Sequence, residues 1–168
     1  MTESLKKGSL TRFLASYVVC MGVAVLLIGY EPVKEIIDLN GIFSRTLASS
    51  AIPALKLFGI DARASGAVIY VPGYALEILF GCNGLEAFII FGAAIISFPA
   101  SWREKATGLF AGLLALQFLN YVRIVLLGVA GVFIPEYFEL LHMYIAQGLM
   151  IAAALVTFIV WINHVTAH

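Results

Sequence analysis

Charge is scarce in this 168-residue chain: Asp, Glu, Lys and Arg together make up 12% of it, about half the share found in soluble domains. The few charges also cancel, with ten basic and ten acidic residues, so the basic excess that binds nucleic acid is missing. Cysteine is scarcer still. Cys20 and Cys82 are the two in the chain, too few for a disulfide scaffold or a thiolate zinc site, and nothing else in the sequence calls for a metal or a cofactor. Fifteen glycines and five prolines follow no period, which excludes collagen-like and low-complexity chains. What fills the space is apolar: 62% of residues are hydrophobic and the mean hydropathy is +1.01. The length permits one domain. The expectation is an all-α integral membrane protein, residues 1–168 forming a single membrane-embedded unit in the lipid bilayer.

Four stretches are apolar enough to cross a hydrocarbon core of about 30 Å, which takes roughly 20 helical residues. Residues 13–30 carry no charge and read as an uncleaved anchor, because Gly29-Tyr30-Glu31-Pro32 is no small-x-small cleavage site. Residues 83–100 carry only Glu86, and 106–122 continue past Arg123 to 134, overlong and open to a bend near the arginine. Residues 143–163 are again uncharged. Basic residues cluster at Lys6, Lys7 and Arg12 and again at Arg103 and Lys105, whereas 135–141 hold Glu136 and Glu139 and no base. The preference of Lys and Arg for cytoplasmic segments then places both termini inside and residues 31–82 outside. In that outer segment Val33, Ile36, Ile37, Phe43 and Leu47 recur at helical spacing, with Lys34, Glu35, Asp38, Ser44 and Arg45 between them. The pattern predicts an amphipathic helix lying in the outer interface, interrupted at Pro53. Residues 67–71 and 74–78 flank Pro72-Gly73 and predict a short hairpin above the second span.

Ionisable groups inside spans cost about 2.5–3.5 kcal/mol on insertion scales, so each needs a reason. Glu86 and Arg123 are the two. Arg123 lies 18 residues after Lys105, about 27 Å of helix, and His142 lies 21 residues before Asn163, about 32 Å. Both therefore reach the outer face, where Cys82 opens the second span. Cys82 sits in Gly81-Cys82-Asn83-Gly84, at a helix amino end expected to lower its pKa, between glycines that admit a substrate backbone. The plainer alternative is a buried inert thiol, which is how Cys20, mid-span among Val and Met, reads. His142 suits the base of a Cys–His pair; the alternative is an interfacial anchor. Arg123 stays charged and offers paired N–H donors to an oxyanion or carboxylate; the alternative is a structural ion pair with Glu86 or Glu77. Asn120 lies one turn before Arg123 and is placed to orient it. Glu86, an i,i+4 neighbour of Cys82, is expected to hold Arg123 or a polar cluster.

Gly81-Cys82-Asn83-Gly84-Leu85-Glu86, Leu119-Asn120-Tyr121-Val122-Arg123-Ile124 and His142 together resemble the exosortase/archaeosortase family over residues 66–163. With Phe98-Pro99-Ala100-Ser101-Trp102 and the small size, the chain is most similar to the exosortase H type; Asn83 stands where serine is commoner. The resemblance implies a membrane cysteine protease and transpeptidase with Cys82 as nucleophile, Arg123 and His142 as partners, and Asn83, Asn120 and Glu86 in support. It implies a bacterial cytoplasmic (inner) membrane location with the site facing the periplasm. The implied substrates are exported proteins whose C-terminal signal joins a short motif (Ile-Pro-Thr-Leu-like for the H type), a transmembrane helix and a basic tail. Cleavage there would be followed by transfer to an acceptor. Two other classes stay open on the residues alone. A thiol–disulfide membrane oxidoreductase needs a resolving cysteine, for which Cys20 is poorly placed. A non-catalytic transport or assembly protein would suit Arg123 and Glu86 but needs no thiol, and the chain lacks a transporter's internal repeat.

Overall fold

The computed structural model describes residues 2–29 and 39–167. Helix α1 (Thr2–Gly29) is followed by α2 (Leu39–Leu57) and a three-stranded antiparallel meander, β1 (Arg63–Ser65), β2 (Val68–Val71) and β3 (Tyr74–Glu77). Then come α3 (Leu85–Ser97), the long α4 (Trp102–Phe133) and α5 (Gln147–Thr166). Between α4 and α5 the chain stays helical, through a 3₁₀ turn (Pro135–Tyr137), one α turn (Phe138–Leu140) and a π-helical stretch (Leu141–Ala146).

Three of these runs are long and apolar enough to cross a membrane: Leu10–Leu27 within α1, Trp102–Phe133 and Pro135–Thr166. The expected second span, 83–100, is shorter than predicted. Helix α3 has 13 residues, about 20 Å of rise, and does not span a 30 Å core alone. Its limits have local causes. Gly84 precedes it at φ +79, a left-handed conformation suited to glycine. Phe98 ends it with extended backbone, as the residue before Pro99 must. Helix α4 runs unbroken through Arg123, and the acidic segment 135–141 is helical.

The outer segment is also corrected in part. Val33, Lys34, Glu35, Ile36, Ile37 and Asp38 lie outside the described residues. Pro53 does not interrupt α2 but lies within it. The buried face of α2 is Ser44, Leu47, Ala48, Ala51 and Leu55, turned onto α4 and the sheet rather than onto lipid, so Ser44 belongs to the inward side. The hairpin at Pro72-Gly73 forms, with Val71 opposite Tyr74 and Gly73 at φ +92, which Pro-Gly supplies at little strain. Strand β1 extends it, pairing Arg63 with Tyr70.

Small residues let α4 act as the spine. A Cβ at Gly108 would strike Trp161, at Gly112 Phe91, at Gly128 Leu55 and at Gly131 Tyr74. Backbones approach closely at such positions, as in other membrane bundles. Two apolar clusters result among the described residues. One joins α2, the sheet and the later half of α4 through Leu55, Ile69, Ile78, Ile124 and Leu127. The other joins α3, the earlier half of α4 and α5 through Phe91, Ile95, Leu116, Met150 and Trp161. Tyr74 stitches the sheet to α4, donating its hydroxyl to the Leu127 and Gly128 carbonyls at 3.2 and 2.9 Å. Burial pushes its pKa up to about 12.

Candidate active site

Cys82 lies in the turn between the sheet and α3, its amide donating to Leu79 O at 2.9 Å. The turn is braced by Asn83, which is fully buried. The Asn83 Oδ1 accepts from Leu85 N at 3.1 Å, and its Nδ2 donates to Ser44 Oγ at 3.3 Å. The α2 face that carries Ser44 thus anchors the turn that presents the thiol.

Two separate elements converge on the sulfur. His142 Nε2, from the π-helical stretch, is 3.6 Å from Cys82 Sγ. Arg123 Nη2, from α4, is 4.0 Å from it, and Arg123 Nη1 donates to Gly81 O at 3.3 Å. The arginine is only 5% exposed. The His142 ring stacks on Phe138 with centroids 5.6 Å apart and planes 8° from parallel, so an aromatic face sets its orientation. Its Nδ1 is buried without a hydrogen bond.

Arg123 and Glu86 are joined through an intermediary that the sequence reading had not singled out. Gln147 Oε1 accepts from Arg123 Nη2 at 3.4 Å, and Gln147 Nε2 donates to Glu86 Oε2 at 3.3 Å. Glu77 is exposed on β3 and forms no ion pair with the arginine. Asn120 does not bond to Arg123 either. It is fully buried beneath Gly84, and both its amide atoms lack partners, as do those of Gln117. Of the expected residues, then, Cys82, Arg123, His142 and Glu86 meet in one cluster. Asn83 supports the turn, and Asn120 packs behind it. A polar amide in the first turn of an otherwise apolar run was the available signal for Gln147. Ser44 gave none, because its role depends on which way α2 faces.

The thiol differs from expectation in its ionisation. Cys82 is two residues short of the Gly84 cap and is half-buried, and burial raises its pKa; the Arg123 charge and hydrogen bond oppose this, and Glu86 adds to it. Burial thus favours the thiol over the thiolate beside the imidazole, and a thiol needs proton transfer to become nucleophilic. Cys20 is a free thiol within α1.

Residues 9–161 match the transmembrane exosortase family. No curated protein and no solved structure matches the chain.

Proposed function

The chain belongs to the transmembrane exosortase family, and from that premise we propose that it is a cysteine peptidase and transpeptidase that cuts the C-terminal sorting signals of exported proteins. The observation that carries this reading is the meeting of Cys82, His142 and Arg123 within 3.6 and 4.0 Å of one sulfur, from positions 41 and 60 residues apart. In the proposed reaction His142 Nε2 takes the thiol proton as Sγ bonds to the scissile carbonyl carbon. The guanidinium of Arg123 steadies the negative charge gathering beside it. Collapse breaks the C–N bond, and the proton on His142 passes to the leaving amine. The thioester left on Cys82 is resolved by an acceptor amine, giving transfer, or by water, giving hydrolysis.

The same frame supports an orientation. Phe13 near the start of the apolar run of α1 packs against Phe98, and Phe98 against Trp161 near the end of α5. The Trp161 indole in turn donates to Glu104 O at 3.1 Å. The early part of α1, the late part of α5 and the basic α3–α4 junction thus share the end opposite Cys82. We place that end in the cytoplasm of a bacterial cell, with the thiol at the outer face of the inner membrane. A substrate whose transmembrane helix has a basic tail inside would then offer its motif at the level of Cys82.

The direct test is to co-express a substrate carrying a motif, an apolar helix and a basic tail, and to trap its acyl adduct on Cys82. No adduct, together with unimpaired processing by Cys82→Ala, would overturn the reading. Reporter fusions after Arg63 and at His168 should report opposite sides of the membrane, and same-side signals would overturn the orientation. A thiol–disulfide exchanger would need Cys20 to reach the site, but Cys20 lies in the interior of a membrane-spanning run of α1.

A further inference from the structure

We propose that Gln147 is a positioning residue of this site: presented beside His142 by the π-helical stretch, it holds Arg123 off Glu86 and against the sulfur of Cys82. The inference rests on the Cys82 reading given above and adds a residue to it.

Helical geometry comes first. In an α-helix, residues five apart are turned by about 140° from one another, so positions 142 and 147 would point to different sides. The stretch Leu141–Ala146 is π-helical, and i→i+5 bonding makes five residues close to a full turn. His142 and Gln147 consequently reach the same cluster, one touching Cys82 Sγ and the other Arg123 Nη2. Ordinary α pitch would deliver one of them and turn the other away.

The chemistry of the amide comes second. A guanidinium and a carboxylate attract strongly in a poorly screened site and prefer a two-pronged contact. Such a contact between Arg123 and Glu86 would draw Nη2 away from the sulfur. An amide can accept on one side and donate on the other, and Gln147 does so, giving each charge a partner while keeping the two apart. With Nη1 on Gly81 O and Nη2 on Gln147 Oε1, the guanidinium plane is fixed by two contacts. Among the described residues, the charged and titratable groups facing the sulfur are Arg123 on α4, His142 on the π-helical stretch and Glu86 on α3.

The experiment uses the full chain in membranes in a Cys20→Ala background. It follows the pH dependence of Cys82 alkylation by N-ethylmaleimide beside processing of a co-expressed substrate. In Gln147→Leu, Arg123 closes on Glu86, alkylation shifts to higher pH, and processing falls on the order of 10- to 100-fold, the scale of a small misplacement at a reacting centre. Adding Glu86→Gln removes the competing charge, and the double variant regains part of both. Gln147→Met keeps the length of the side chain without adding charge, loses the amide that joins Arg123 to Glu86, and shifts alkylation the same way. It carries the test by itself if the leucine variant does not accumulate. Wild-type profile and rate in Gln147→Leu or Gln147→Met, or no recovery in the double variant, would overturn the proposal while leaving Cys82 as nucleophile. Full processing by Cys82→Ala would overturn the nucleophile itself.

Discussion

The two ends of the bundle solve the same problem in opposite ways. At the end away from Cys82, helix α4 opens with a complete capping box. Ser101 N donates to Glu104 Oε2 at 2.7 Å, and Glu104 N donates back to Ser101 Oγ at 3.4 Å. Around it Phe98, Phe158 and Trp161 pack edge-to-face and stacked. At the Cys82 end, helix α3 opens on Gly84, which has no side chain to cap with, and a single bond from Leu85 N to Asn83 Oδ1 stands in for a capping box. There Asn120, Gln117, Arg123 Nε and His142 Nδ1 are buried without hydrogen-bond partners. Unpaired buried polar atoms cost about 1–3 kcal/mol each. Among the described residues the capped end leaves one such atom, Ser97 Oγ, so the uncommitted donors and acceptors concentrate at the Cys82 end.

That contrast makes separable predictions. The largest effect is expected at the sulfur: Cys82→Ala should lower processing by about 10³-fold or more, while Cys20→Ala stays near wild type, both read by cleavage of a co-expressed substrate. Arg123→Lys should follow at roughly 10²-fold, because an ammonium cannot supply two fixed donors. A nearly active lysine variant would show that charge alone suffices. Alkylation of Cys82 should titrate above the ordinary thiol range, since burial outweighs the arginine. It should move higher still in Arg123→Ala, because loss of the positive charge disfavours thiolate. A titration at or below the usual range would put the sulfur in a wetter place than the structure does. At the stable end Gly112→Ala pushes a methyl into the Phe91 ring and should cost about 1–3 kcal/mol, seen as a lower melting temperature in detergent. Ser101→Ala should cost only ~1 kcal/mol and leave processing untouched; an equal loss of activity would erase the division between the ends.

The cluster around Cys82 was legible in the sequence because membranes make ionisable groups conspicuous. Arg123 and Glu86 stand out of their runs, and rise per residue brings Arg123, His142 and Cys82 to one level without any knowledge of packing. The hairpin was legible for a similar reason, since Pro72-Gly73 acts within four residues. What failed were readings that depended on a partner. Ser44 was assigned to a polar surface because hydropathy does not show that α2 turns one face onto α4. Asn120 was expected to hold Arg123 because both share a helical face, yet rotation about that face puts it behind Gly84.

The sequence by itself determined that the chain is membrane-embedded, where its apolar runs lie, and that Cys82, Arg123 and His142 belong at one level, because these follow from composition and from fixed helical rise. Only the tertiary structure decided that α3 stops short of a full span and that the Cys82 thiol is raised rather than lowered by its surroundings. It also decided that Gln147 stands between Arg123 and Glu86. Helical pitch can change locally, as it does over Leu141–Ala146. Burial and hydrogen bonding depend on which faces meet, a long-range outcome that no local pattern of residues encodes.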